Sequence, residues 1–237
     1  MEKVPRYPGF PGAFSWPPDT HRQRRAFELW AQSLIRLPRG GEKPGAHLLS
    51  EEKWQKLLAG VPDQEAWLMA LSQATGVYFF PSREWPGRLL RFLRFLGVRR
   101  LLEAGAGRGY LTAALGPLAQ AAGLDFLALD KGEGEFVGNL EVHPFVQRGD
   151  VFQVIHRFDP EAILYAWPPP GQSLTPLFAC GSLRYVIVAG EAGGGVTGAR
   201  EDWLALAVRK SPALSRYCRG RTGQNRHQVS IFRKIQR

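Results

Sequence analysis

The chain has 237 residues with a 44% hydrophobic fraction, enough for one full core or for one medium domain with a small appendage. No apolar run approaches the ~20 residues that a membrane span needs, the start (Met1-Glu2-Lys3-Val4-Pro5) lacks a signal-peptide core, and a cytoplasmic protein is expected. Two cysteines, Cys180 and Cys218, rule out a disulfide framework, the five scattered histidines offer no metal-ligand spacing, and the formal charge of +10 directs attention to nucleic acid as a partner.

Residues 1–18 carry five prolines and read as an irregular lead-in. From Thr20, Phe27, Trp30, Leu34 and Leu37 recur at helical spacing until Pro38-Arg39-Gly40-Gly41, and Arg22, Arg24 and Arg25 crowd the first turns, against the helix dipole. Ser50-Glu51-Glu52 opens a second helix and Pro62-Asp63 a third, which stops at Gly76. Residues 1–76 are therefore expected to form a lead-in and a small helical annex to a main unit over 77–237. A fourth helix presents Leu89, Phe92, Leu93 and Leu96 on one stripe and ends at Gly97.

Beyond residue 98 the rhythm becomes strand, helix, strand. Strands are predicted at 99–104, 124–130, 145–149, 162–167, 185–190, 213–219 and 227–234, with helices near 109–121, 152–157, 173–180 and 199–210. The alternation implies an α/β fold, a doubly wound, Rossmann-like, seven-stranded and mostly parallel sheet that binds ligands at the carboxyl ends of its strands. The last two strands, joined through Thr222-Gly223-Gln224-Asn225, predict an antiparallel C-terminal hairpin at one edge.

The chemistry gathers at Leu101–Leu111, where a strand ending in Glu103 turns through Gly105, Gly107 and Gly109 into a helix. Such a turn brings main-chain N–H groups and a helix N-terminus toward a ligand, and a side chain would obstruct the approach. The spacing differs from the dinucleotide pattern G-x-G-x-x-G, because Tyr110 stands where its last glycine would fall.

An acidic residue followed by G-x-G-x-G resembles the first motif of the class I S-adenosylmethionine-dependent methyltransferases. The resemblance implies S-adenosylmethionine as cofactor, with Gly105, Gly107 and Gly109 cradling its methionine part and Glu103 answering that part's positive charge. It gives the ribose hydroxyls to Asp130, at the end of the second predicted strand, and the adenine amine to Asp150, which equally suits a helix N-cap. In Ala166-Trp167-Pro168-Pro169-Pro170 the family's acceptor wall falls on Trp167, Pro168 and Pro169, though a rigid turn capping the strand is the other reading. Amino-methylating members have Asn, Asp or Ser where Trp167 stands and an aromatic where Pro170 stands, so methyl transfer to a nucleobase amine is not implied.

Together with the Tyr-containing stretch before Pro81 and the Gly190-Glu191 loop running to Gly198, the Trp-Pro-Pro turn is similar to a little-characterised group of methyltransferase-like proteins. Glu191 is the candidate for orienting or deprotonating the acceptor. After Asp202 no acidic residue follows, while nine Lys and Arg do, which suggests RNA or a ribosome-associated target as acceptor or else a solvated surface. A protein or small-molecule acceptor stays open, as does a non-catalytic protein of the same fold that binds nucleic acid or a partner.

Overall fold

The computed structural model describes residue 18 and residues 20–133, 141–222 and 227–234. The remainder of the Pro-rich lead-in, most of the expected turn at 222–225, and Arg226 and Arg237 lie outside the described residues.

Three helices come first: α1 (His21–Leu34), α2 (Glu51–Leu58) and α3 (Gln64–Thr75). Thr20 and Gln23 close a capping box on α1, Ser50 caps α2, Asp63 caps α3, and Gly76 ends α3 in the left-handed conformation. Then follow β1 (Phe79–Pro81), α4 (Trp85–Phe95), β2 (Arg100–Ala104), α5 (Thr112–Ala121), β3 (Asp125–Asp130), β4 (Val146–Arg148), α6 (Val151–Phe158) and β5 (Ala162–Ala166). A 3-10 turn, Thr175–Ala179, leads to β6 (Tyr185–Glu191), α7 (Asp202–Ala205), β7 (Ala207–Lys210), α8 (Pro212–Ser215), β8 (Cys218–Gly220) and β9 (His227–Arg233).

Seven strands form one sheet in the order β4-β3-β2-β5-β6-β9-β7, parallel except where β9 runs antiparallel to both β6 and β7. The expected doubly wound α/β architecture with an antiparallel C-terminal part is therefore present. Its edge partner differs in position: β9 pairs with Ala207–Lys210, and the stretch 213–219 contributes α8 and then β8, which pairs with β1 in a separate two-stranded sheet. Leu206 and Val208 turn inward while Ala207 and Arg209 face out, a period of two inside the stretch expected to be helical. Pro212 in the first helical turn favours α8 where a strand was expected.

Alternation along the central strands divides the core. Leu101, Leu164, Ile187 and Ile231 pack with Leu89, Leu93, Leu115 and Leu214 of α4, α5 and α8. Leu102, Ile163, Val186 and Phe232 face Ile155 of α6 and Leu177 of the 3-10 turn. Strands buried on both faces read as continuous apolar runs, which is why these were legible.

A third cluster joins the N-terminal helices to the sheet side: Phe27, Trp54, Leu68 and Leu71 pack with Phe80, Tyr110 and Ala114. Two polar contacts pin that packing. His47 Nε2 lies 2.9 Å from the Tyr110 carbonyl oxygen, and the fully buried Arg219 guanidinium of β8 pairs with Glu51 at the start of α2. Removing one partner of such a pair leaves a buried charge uncompensated, so Arg219→Ala and Glu51→Ala should each lower unfolding free energy by about 3–5 kcal/mol. Urea denaturation of each variant checks this, and a loss below about 1 kcal/mol would place the pair among interactions of surface strength.

Candidate functional site

β2, β3, β5 and β6 all end at one edge of the sheet, and the residues singled out from the sequence meet there. Gly105, Gly107 and Gly109 have φ of 63°, 56° and 83°, so the turn after β2 uses three left-handed residues in five. The steric reasons differ. A Cβ on Gly105 would lie 2.9 Å from the Tyr165 ring and one on Gly109 2.7 Å from His143 Cβ, whereas at Gly107 nothing lies within 4 Å. Gly107 is demanded by backbone conformation and keeps its approach open.

The turn is tied to β3. Ala106 N–H donates to Leu129 O (3.0 Å) and Gly107 N–H donates to Asp130 Oδ2 (2.7 Å), while Asp130 Oδ1 accepts from Gly132 N–H (2.7 Å). Asp130 thus stands at the strand end facing the turn, as expected. Asp150 caps α6, accepting from Phe152 N–H (2.9 Å), and its other oxygen lies 2.9 Å from Lys131 Nζ. The N-cap role is real, and the ion pair with Lys131 was not foreseen.

Glu103 is buried at the end of β2 and accepts from the Thr112 hydroxyl (2.9 Å) at the start of α5. Loss of solvation pushes its carboxyl up to about 8, the Thr112 hydrogen bond opposes that, and the neighbouring Asp130 charge adds to it. Tyr165, one strand over on β5, lays its ring against Gly105, and burial followed by the charges of Asp150 and Asp130 pushes its hydroxyl up to about 12. Tyr165, Thr112 and Lys131 were missed; Lys131 follows Asp130 directly, which was the available signal.

Across the edge, the β5 end turns its aromatic side chain inward. Trp167 adopts φ 54° and donates its main-chain N–H to Ala189 O (2.9 Å), so its indole turns into a slot beside His227 (ring centroids 6.3 Å apart, planes at 13°) and Tyr78 (6.5 Å). Gly220 forms the floor of that slot, since a Cβ there would come within 2.5 Å of both rings. Pro168 is buried and Pro169 exposed. The turn is held by Gly198 N–H donating to Pro168 O (3.1 Å) and Gly171 N–H donating to Gly198 O (3.1 Å), while the buried Asp202 accepts from Ser173, Leu174 and Thr175 just beyond it.

Glu191 ends β6 opposite His227, and its N–H donates to Thr197 Oγ1 (3.0 Å). Glu191 Oε2, Trp167 Nε1 and His227 Nδ1 are shielded from solvent without a hydrogen-bond partner among the described residues. Burial, aided by the nearby Arg219 charge, lowers His227 to about 3, so its imidazole is neutral. Nothing in the local pattern around this histidine distinguishes it from the other four. Among the described residues no group of three or more His, Cys, Asp or Glu could hold a metal ion, and no helix is long and apolar enough to cross a membrane.

The raised Glu103 group has a stability consequence. Between about pH 4.5 and 8 the unfolded carboxyl has lost a proton that the folded one retains, so stability falls as pH rises through this window. Glu103→Gln should remove that component, leaving a variant that gains on the parent as pH increases. Chemical denaturation at pH 5 and pH 8.5 checks it, and equal pH slopes in the two proteins would contradict it.

No family model matches the chain, and no curated protein matches it. Similar solved structures include an O-methyltransferase from Bacillus cereus in complex with SAH (13% identity, 78% of this chain and 96% of that one, TM-score 0.43). They also include a Thermoplasma acidophilum protein, 1320 (14%, 66% and 89%, TM-score 0.39), and the methyltransferase domain of bacterial CtHen1 (12%, 62% and 96%, TM-score 0.38). Likeness at this level concerns fold alone. By its own strand order, its antiparallel β9 and the turn placed between β2 and α5, the chain has a doubly wound, Rossmann-like α/β fold.

Proposed function

We propose that the chain is an S-adenosylmethionine-dependent methyltransferase. The observation that carries the reading is the joint placement of the Gly105–Gly109 turn, its tie to Asp130, and the buried Glu103 beneath it at the carboxyl edge of the sheet. These residues fit the cofactor. Gly107 leaves an open approach, Asp130 has lone pairs left for ribose hydroxyls, and two carboxyls that feel each other's charge, Glu103 and Asp130, stand where a cationic ligand would be neutralised.

When bound, S-adenosylmethionine supplies a sulfonium methyl that passes to an acceptor lone pair while the C–S bonding electrons return to sulfur. The chain's residues position and neutralise. Gly105, Gly107 and Gly109 hold the methionine part, Asp130 the ribose and Asp150 the adenine side, within the limits set by its cap and by Lys131. Tyr165 backs the turn at Gly105. Trp167, Pro168 and Pro169 shape the acceptor end, and Glu191, whose Oε2 lacks a donor, takes the acceptor's proton. An acceptor bearing O–H or N–H satisfies that oxygen. The acceptor is assigned to RNA or a ribosome-associated target on the strength of the basic charge.

A second reading, a non-catalytic binding protein of this fold, draws on Trp167, which stands where the resemblance would have a polar acceptor-binding residue and whose indole packs against His227. Calorimetric titration separates the readings: binding of S-adenosylmethionine and its demethylated product is expected, and no heat from either would end the donor assignment. Asp130→Asn should weaken that binding by about tenfold, as expected for loss of a charge-assisted contact. Glu191→Gln should cut turnover with cofactor affinity intact, and an unchanged rate would remove its role.

Ligand charge should also be visible in protons. A cation settling near Glu103 favours the ionised carboxyl, so at pH 7 binding should release up to one proton, read from heats in buffers of different ionisation enthalpy. Glu103→Gln should abolish the release. Proton uptake in the parent would contradict the assignment.

A further inference from the structure

Two long stretches that pack together are free of acidic residues. From Trp85 to Leu102 and from Trp203 to the C-terminus the sequence contains no Asp or Glu. Within them lie α4, α8, β7 and β9, which are contiguous: Trp85 Nε1 donates to Leu214 O (3.2 Å) between α4 and α8, Val229 N–H donates to Ser215 Oγ (2.9 Å) between β9 and the end of α8, and β7 pairs with β9.

Arg91, Arg94, Arg209, Lys210, Arg216 and Arg233 are exposed on these elements, and none takes part in an ion pair among the described residues. Ion pairs form on other elements, as in Arg36 with Glu42 and Arg184 with Glu161. Unpaired cations stand on other elements too, Arg22 and Arg24 of α1 among them, but here six share packed elements whose own sequence supplies no acid.

An aromatic ring is set among them. The Arg88 guanidinium lies 3.7 Å from the Tyr217 ring centroid and that of Arg216 lies 5.7 Å away. Planar cations beside an aromatic ring are the contacts that receive phosphates and stacked bases. Tyr217 immediately precedes β8, and its carbonyl accepts from Ser82 N–H (2.8 Å). Three residues on, Gly220 lies against Trp167, so the basic side runs into the acceptor end of the sheet.

We infer that the surface of α4, α8, β7 and β9 binds the phosphodiester backbone of a single-stranded nucleic acid and leads it toward the Trp167–Glu191 end. The inference rests on the methyltransferase reading only in making that strand the carrier of the acceptor. Charge supplies affinity, and the Arg88–Tyr217–Arg216 group supplies stacking.

The test uses the full chain and a fluorescein-labelled single-stranded RNA, long enough at about 20 nucleotides to cover the surface, followed by anisotropy across salt concentration. Arg91→Glu/Arg209→Glu/Arg216→Glu should lose at least about tenfold in affinity at low salt and flatten the log–log salt slope by about 2, at roughly 0.7 for each phosphate that the variant no longer neutralises. The reversal Arg22→Glu/Arg24→Glu/Arg25→Glu on α1 should change neither. A Gln triple at 91, 209 and 216 guards against misfolding by reversed charge and should show a smaller loss in the same direction.

Unchanged affinity in both triples, or an equal loss from the α1 set, overturns the assignment. Heparin binding as tight as RNA overturns it too, because the surface would then recognise charge without the strand. DNA of the same sequence identifies the source: the tighter of the two strands is the ligand. Cofactor titration of the same triple should be unaltered, and RNA binding that maps to this surface in a chain that ignores S-adenosylmethionine would retire the donor reading while leaving the surface.

Discussion

The hydrogen bond from Gly107 N–H to the Asp130 carboxylate, at 2.7 Å, fixes the part of the molecule on which the site depends. It joins the turn after the central strand to the end of the neighbouring strand, and it is charge-assisted, hence stronger than an ordinary main-chain bond. To donate in that direction the peptide must pass through left-handed conformations, which accounts for the glycines at 105, 107 and 109. The register between β2 and β3 sets the bond in place, pairing Ala104 with Leu129 just before both chains leave the sheet. A glycine turn without that acidic strand end would be a chain reversal; with it, the turn is fixed against β3 and keeps Gly107 open on one side.

Electrostatics divides the molecule by sign. Three carboxyls stand at the carboxyl edge and are handled in different ways. Glu103 keeps its proton to about pH 8, Asp130 is held by two main-chain donors, and Asp150 is shared between a helix cap and Lys131. Such a site gains by receiving a cation. On α4, α8, β7 and β9 the sign reverses, since two long stretches contain no acid at all. One chain therefore carries an acidic cluster at the strand ends and an acid-free basic surface, and β8 runs from the Tyr217 end of that surface to the Trp167 ring.

The central strands were legible because burial on both faces writes them as apolar runs, and Glu103, Asp130 and the glycines because each breaks such a run at its end. The C-terminal edge was less so. Ala207–Lys210 is four residues long and follows a short helix, so its period of two is overwritten by the helical spacing upstream. Its partnership with β9 is decided by tertiary contact, which local pattern does not encode. His227 and Arg219 were hidden for a related reason: both are polar residues in a basic segment, and only the fold brings His227 opposite Glu191 and Arg219 beside Glu51. The Thr112 partner of Glu103 lies nine residues away across the turn, a spacing with no local signature.

Trp167 is a bulky residue held in a conformation that usually belongs to glycine. A non-glycine residue in the left-handed region carries a strain of roughly 1–2 kcal/mol, and a bulky one persists there only where its surroundings hold it. Here they do: the indole is buried among His227, Tyr78 and Gly220, and burial of a large aromatic stabilises by more than the strain costs. An indole at this position offers one N–H and no oxygen, so the strand end presents no polar acceptor atom from this side chain. Glu191 is held at the end of β6 by its pairing with β9 and by Thr197. Its Oε2 is shielded from solvent without a hydrogen-bond partner among the described residues, so a donor brought to it would satisfy a buried acceptor.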